Sequence, residues 1–269
     1  MTDEEPAAGP LPQIDTSTPH SARVWNYWIG GKDNYEVDRQ VGDQVMAAYP
    51  DIVQIARQSR YFLVRAVRFL TLEAGVDQFL DLGTGLPTVD NTHQVAQRIL
   101  PHARVVYVDN DPLVLVHARA LLASSPAGKA DYIDADVRDV DRIVDAAAGT
   151  LNFSRPIAVM MLGILGNIAD YNEAREIARR LMAAVPSGSF LVVNDGTKDA
   201  KAQVAQAAAD VRAEAGDPYR LSTPAQLAGY FEGLQLVEPG VARTAEWRPE
   251  LHDFDNEVLD VHCGIAIKP

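Results

Sequence analysis

The sequence predicts an α/β fold: a mixed, mostly parallel sheet of seven strands with helices on both faces and extra helices before the first strand. Three observations predict it. Short apolar runs at 79–82, 105–108, 131–133, 157–162 and 190–193 alternate with helix-length stretches at 89–100, 112–123, 140–148 and 172–185. That alternation is the rhythm of right-handed βαβ crossovers and a parallel sheet. The runs do not alternate apolar with polar residues, as expected of strands covered on both faces. Two further strand candidates, 234–237 and 258–267, follow each other without a crossover helix, which favours an antiparallel pair at the sheet edge.

Taken in chain order, residues 1–19 mix acids and small residues with Pro6, Pro10, Pro12 and Pro19, a composition expected of a flexible arm. Residues 20–75 read as helical. A short aromatic segment (Val24 to Ile29) ends at Gly30-Gly31, and a second helix spans 36–48, stopped before Pro50. A third spans 52–73, with Ile55, Phe62, Ala66, Phe69 and Leu70 at helical spacing and Gly75 as its C-terminal cap. Residues 76–269 hold the sheet. After its fifth strand come a long helix at 198–215 and a short one at 225–231, opened by Ser222-Thr223-Pro224.

Composition narrows the class. With 47% apolar and 23% charged residues, a chain of 269 residues can build a core without disulfides or metal. A net charge of −13 and a pI of about 4.8 argue against a protein that neutralises nucleic-acid phosphates. The single cysteine, Cys263, lies in the last strand candidate and reads as a buried structural thiol, which suits a reducing compartment. The opening MTDEEPAAGPLPQ lacks the basic and apolar regions of a signal peptide. No apolar run reaches the ~18 residues needed to cross a bilayer. A cytoplasmic protein with no membrane partner is the expectation, and no sequence feature sets an oligomeric state.

The most informative segment is Phe79-Leu80-Asp81-Leu82-Gly83-Thr84-Gly85-Leu86-Pro87-Thr88. A strand runs straight into Gly83-x-Gly85, where the missing Cβ atoms allow a sharp turn and close approach of a ligand to the backbone. In open α/β sheets the ligand crevice lies at the carboxyl ends of the strands. The second strand ends in Asp109-Asn110, where a carboxylate can accept hydrogen bonds from a ribose diol. The third is followed by Asp136-Val137, a carboxylate suited to an exocyclic adenine amine beside a free backbone N–H. Taken singly, Asp109 could cap the helix opening at Pro112, and Asp136 could be a solvated loop acid. Together the three strand ends point to an adenosyl ligand. A dinucleotide turn would show G-x-G-x-x-G, but here Pro87-Thr88 interrupts it, and no phosphate loop of the G-x-x-x-x-G-K-[ST] type occurs. A ligand without pyrophosphate, S-adenosylmethionine (SAM), fits better than NAD.

Asp81-Leu82-Gly83-Thr84-Gly85 resembles the first motif of class I SAM-dependent methyltransferases, Asp109 their following acid, and Asp136-Val137 their adenine-side pair. The stretches 22–35 (ARVWNYWIGGKDNY), 86–93 (LPTVDNTH) and 237–241 (VEPGV) resemble one bacterial family, the S-adenosyl methyltransferase family, over residues 21–269. The resemblance implies a Rossmann-like sheet in the order 3-2-1-4-5-7-6, with strand 7 antiparallel. It also implies SAM as cofactor, S-adenosylhomocysteine (SAH) as product, and N-terminal helices that cover the cofactor as a lid.

Methyl transfer is an in-line displacement that needs orientation and, for some acceptors, a base. His93, just after the glycine turn, is a candidate for contacting the acceptor or acting as base; packing on its own helix is the alternative. Trp25, Asn26, Tyr27 and Lys32 are candidates to line the site, with Lys32 or Arg23 reaching the methionyl carboxylate; the aromatic cluster could equally pack a helix. Asn167, beyond the fourth strand, is a candidate for facing the acceptor. Arg60 and Arg65 read as surface or salt-bridge residues and Met160-Met161 as core. The His252, Asp253 and Asp255 cluster reads as a solvated loop, so no metal site is expected. A methyltransferase acting on a small molecule is the leading function. The competitors are a SAM- or SAH-binding module without turnover and, behind both, an NAD-dependent oxidoreductase.

Overall fold

The structure, a computed structural model, describes residues 14–121, 127–249 and 258–269. The first part of the expected arm, the end of the helix expected to reach residue 123, and the loop containing His252, Asp253 and Asp255 lie outside these residues.

Five parallel strands form the centre of the sheet: β1 (Gln78–Leu82), β2 (Arg104–Asp109), β3 (Lys129–Asp134), β4 (Ala158–Leu162) and β5 (Phe190–Gly196). Three more follow, β6 (Gln235–Leu236), β7 (Ala242–Arg243) and β8 (Val261–Ile267), giving the order β3-β2-β1-β4-β5-β8-β6 with β7 also on β8. Strand β8 runs antiparallel to β5, from Phe190 opposite Ile267 to Gly196 opposite Val261. The expected order is therefore present with one addition. A turn at Pro239-Gly240, with Gly240 at φ 89°, separates two short pieces, β6 and β7, that pair with opposite ends of β8. Proline cannot donate to a ladder, so the edge breaks there.

The helices are α1 (Ser21–Trp28), α2 (Glu36–Ala48), α3 (Ile52–Leu72), α4 (Thr92–Ile99), α5 (Pro112–Leu121), α6 (Val140–Ala147), α7 (Tyr171–Ala184), α8 (Ala202–Glu214) and α9 (Pro224–Ala228). Side chains alternate across each strand, and each face has its own core. Leu80, Leu82, Val106, Val159, Met161 and Leu191 pack with Ile143 of α6 and Ile177 and Leu181 of α7. Phe79, Val105, Tyr107, Met160, Val192 and Cys263 pack on the other face with Phe62, Ala66 and Leu70 of α3, Val95 of α4 and Trp247. Two covered faces explain why the strands read as continuous apolar runs. Burial holds the Cys263 thiol in its neutral form by raising its pKa.

The apolar stripe of helix α3 is core. Arg65, expected as a surface or salt-bridge residue, is buried there and donates to the carbonyls of Thr244 (2.7 Å) and Trp247 (3.1 Å). Gly75 ends the segment at φ 68°, and the next amide returns to Leu70 O at 2.8 Å, the left-handed termination that glycine permits. A third cluster joins Val24 and Trp28 of α1, Val41 and Val45 of α2, Ile55 of α3, and Ala205 and Ala208 of α8. Within residues 14–19, the carbonyls of Asp15 (2.8 Å) and Thr18 (3.1 Å) accept from Arg23. Helix α4 starts at Thr92 rather than at residue 89 because Asn91 and Gln94 form a capping box at its start. Among the described residues no helix is long and apolar enough to cross a membrane.

Candidate functional site

Strand order reverses at β1, whose neighbours are β2 on one side and β4 on the other. The crevice of such sheets opens at that switch point, and here it is a cleft of about 460 Å³, within the ~300–1,000 Å³ usual for small-molecule sites. Its floor is the glycine turn. Gly83 (φ 68°) and Gly85 (φ 65°) are both left-handed, a region side-chain-bearing residues avoid. A Cβ on Gly83 would lie 2.7 Å from Ile164, whereas one on Gly85 would meet open space.

The turn and the acid of β2 are directly bonded. Gly85 N donates to Asp109 Oδ2 at 2.8 Å, and Asp111 N donates to Oδ1 at 3.0 Å. Burial pushes the Asp109 pKa up while those two amides oppose the rise. Asn110, Ala135, Asp136 and Val137 continue the wall beyond β2 and β3. Asp136 accepts from the Arg138 amide (2.9 Å) and is paired with the Arg138 guanidinium (3.0 Å). On the α3 side stands Asp81. It accepts from Thr92 Oγ1 at 2.6 Å, and burial pushes its pKa up to about 6 against the pull of Thr92 and Arg60.

Of the residues singled out in the sequence, Asp81, Gly83, Thr84, Gly85, Asp109, Asn110, Asp136, Val137, Trp25, Asn26 and Asn167 all line this cleft. Asn26 also ties down the chain that follows α1, since its Oδ1 accepts from Asp33 N (3.1 Å) and Asn34 Nδ2 (2.9 Å). Its side chain occupies the space a Cβ on Gly31 would need.

The structure does not bring the other four there. His93 is 4% exposed and turned onto β2, with its amide and Nδ1 each 2.8 Å from Tyr107 Oη. Burial lowers its pKa, so it packs as a neutral ring beneath the site. Arg23 is buried between Asp38 (3.8 Å) and Asp111 (3.3 Å), pinning α1 to the loop after β2. Tyr27 faces α2 and donates to Asp43 at 2.7 Å, and Lys32 is exposed.

Two features escape the sequence reading. Arg60, expected as a surface or salt-bridge residue, lines the cleft, with Nη2 donating to the carbonyls of Val89 (3.0 Å) and Asp90 (3.1 Å). A small annex of about 50 Å³ adjoins the cleft and shares Trp25, Trp28, Ser59, Gly163, Asn194, Arg212 and Tyr219 with it. Asp195 lines the annex at 2% exposure. Its Oδ1 accepts from Tyr219 Oη and from Gly196 N (3.1 Å), and the Gly166 amide is a further donor to the carboxylate. Burial pushes its pKa up to about 7, with Arg220 and Arg212 pulling the other way. The signal for Asp195 was present: like Asp109, it is an acid at the carboxyl end of an apolar strand.

The family model described as S-adenosyl methyltransferase matches residues 7–269. The chain belongs to the S-adenosyl methyltransferase family. As a member it is a SAM-dependent methyltransferase, and SAM is its cofactor. Solved structures agree in fold over most of the chain. A DUF574 family protein from Streptomyces avermitilis MA-4680 is 41% identical, covering 96% of this chain and 100% of that one at a TM-score of 0.93. A protein from Thermobifida fusca YX, named as a candidate methyltransferase, is 39% identical, covering 94% and 96% at a TM-score of 0.87. Magnesium protoporphyrin IX methyltransferase from Synechocystis PCC 6803, solved with bound SAH, is 13% identical, covers 91% and 93%, and at a TM-score of 0.55 shares the fold. A comparison with curated proteins finds no match.

Proposed function

We propose that the chain methylates a small-molecule acceptor in the cytoplasm and that the cleft at the β1 switch point holds SAM and acceptor together. The observation that carries the site assignment is the convergence of Gly83–Gly85, Asp109 and Asp136 on one cleft, with Asp109 bonded to the turn itself.

The residues present suit the cofactor. Each Asp109 oxygen accepts one backbone N–H, and a carboxylate offers about four acceptor sites, so capacity remains for both hydroxyls of a ribose. Ala135, Asp136 and Val137 form the wall on the adenine side, and Arg60 supplies a cation for the methionyl carboxylate, the part the sequence reading gave to Arg23 or Lys32. When bound, SAM supplies an electrophilic methyl group. The protein supplies binding, orientation and exclusion of water. Trp25, Asn26 and Trp28 of α1 line the cleft, so α1 forms the lid, and Ser59, Arg60 and Leu63 of α3 form its base.

Isothermal titration with SAH tests the reading. The wild type is expected to bind, and Asp109→Asn to weaken binding by about ten- to a hundredfold, the effect of losing charge-assisted hydrogen bonds. Equal affinity of the variant and wild type would remove Asp109 from the site.

A further inference from the structure

Arg23 gathers the polar contacts at the start of the lid, and one of its nitrogens faces an acid beside Asp109. Its Nη1 and Nη2 donate to the carbonyls of Asp15 and Thr18, and its guanidinium lies over the Tyr35 ring at 5.4 Å. Asp38 ties the starts of α1 and α2 together, accepting from His20 N (3.0 Å) and Tyr35 N (2.8 Å). Arg23 Nε remains, 3.3 Å from Asp111 Oδ2 and 3.8 Å from Asp38 Oδ1. Asp111 belongs to the sheet side. Its amide donates to Asp109 Oδ1, and its own Oδ1 accepts from Leu113 N (2.8 Å) at the start of α5. Its Oδ2 faces the lid. There His20 Nδ1 stands 3.0 Å away but accepts from Ala22 N (3.3 Å), so Arg23 Nε is the donor available. Both Arg23 Nε and Asp111 Oδ2 are sealed from solvent, and neither has a hydrogen-bond partner among the described residues. A buried donor and a buried acceptor are costly to leave unmade. Two that face each other at 3.3 Å therefore favour a small further approach of α1, toward the ~2.9 Å of a formed N–H···O bond.

Resting on the cofactor placement proposed above, we propose that Arg23 and Asp111 are positioning residues that latch α1 over the cofactor, so that ribose binding and lid closure reinforce each other. The link between them is the turn after β2. Asp109 takes the ribose and Asp111, in the same turn, takes the lid. With Asp109 engaged by a ribose, the turn and the Asp111 carboxylate are held in place. A closed latch holds the same turn from the other side. Each event lowers the ordering cost of the other, which is positive coupling between the two. Thr18, His20, Ser21 and Ala22, around the start of α1, line the cleft, so closing the latch brings them toward the nucleoside. The Arg23–Asp111 bond is made in the closed state and must break for the cofactor to leave. It therefore acts on escape more than on entry, and release of SAH after methyl transfer waits on it.

Stopped-flow fluorescence of Trp25 and Trp28, which line the cleft, measures SAH association and dissociation. Asp111→Asn keeps the cap on α5, since asparagine caps as well as aspartate, and replaces the oxygen facing Arg23 by an amide donor. It is expected to speed SAH dissociation by about tenfold, the effect of one charge-assisted hydrogen bond, and to leave association within about threefold. Arg23→Gln is expected to do the same, and the double variant to release SAH no faster than either single one, as for partners in one contact. Tyr27→Phe, which removes the bond to Asp43 away from the cleft, is expected to leave both rates unchanged. In hydrogen exchange, SAH and 5′-methylthioadenosine are each expected to slow exchange of the α1 amides in wild type but not in Asp111→Asn. Should Arg23→Gln fail to fold, Asp111→Asn and hydrogen exchange decide. Wild-type dissociation in Asp111→Asn, additive effects in the double variant, equal acceleration by Tyr27→Phe, or α1 protection that survives Asp111→Asn overturns the proposal. If SAH does not bind wild-type protein, the cofactor placement fails and the latch with it; if SAH binds with the same lifetime in every variant, the latch alone fails.

Discussion

Asp195 couples the site to stability. A carboxylate whose pKa rises from 3.8 to about 7 on folding binds its proton more tightly in the folded state, so stability falls as pH climbs from about 4 to about 7. Asp81, pushed up to about 6, acts in the same direction. Asp195→Asn removes the first contribution. The variant is expected to gain thermal stability over wild type as pH rises from 5 to 8, by an amount on the order of a few kcal/mol at most. Parallel melting curves for both proteins across that range would contradict the burial of a titrating acid. Arg60 makes a second residue-scale prediction. Arg60→Met is expected to weaken SAH binding by about tenfold, one charged hydrogen-bonding group, and to leave 5′-methylthioadenosine, which lacks the methionyl carboxylate, unaffected. Loss of both affinities would place Arg60 elsewhere than at the carboxylate.

The glycine turn shows what an element requires of its neighbours. Gly83 is left-handed, and its missing Cβ makes room for Ile164, 2.7 Å away. Gly83→Ala therefore meets both a backbone penalty of ~1–2 kcal/mol and a contact that Ile164 must relieve. Gly83→Ala is expected to lower the Tm, and adding Ile164→Gly, which also removes the Ile164 Cβ lying 2.7 Å from the new methyl, to restore the packing part of the loss but not the conformational part. Full rescue, or none, would show that one of the two causes is absent. At this scale much was legible from sequence. The strands appeared as apolar runs because both sheet faces are covered, and Asp109 and Asp136 were visible because strand ends punctuate those runs. What was not legible depends on which way a helix faces. His93 follows the glycine turn closely, yet α4 rotates it onto Tyr107. Arg60 and Arg65 read as surface or salt-bridge residues because nothing local marks their faces: one meets the cleft, the other the carbonyls beside Trp247. Asp38, the partner of Arg23, lies a helix away, so the ion pair that removes Arg23 from the cleft is a long-range fact.

Across the whole molecule, three packed clusters divide the work. Two sandwich the sheet and fix the positions of the strand ends. The third joins α1, α2 and α8, with the annex among its residues. Helix α3 packs into the core on one sheet face, while α8, from later in the chain, packs with α1 and α2. The central claim is geometric: turn, ribose acid and adenine wall serve one nucleoside. A crystal structure with SAH tests it most directly. The account predicts the ribose hydroxyls on Asp109, the adenine beside Asp136 and Val137, and the sulfur directed toward the Tyr219 wall. SAH bound outside this cleft, or bound in it with Asp109 out of hydrogen-bond reach, would contradict the account.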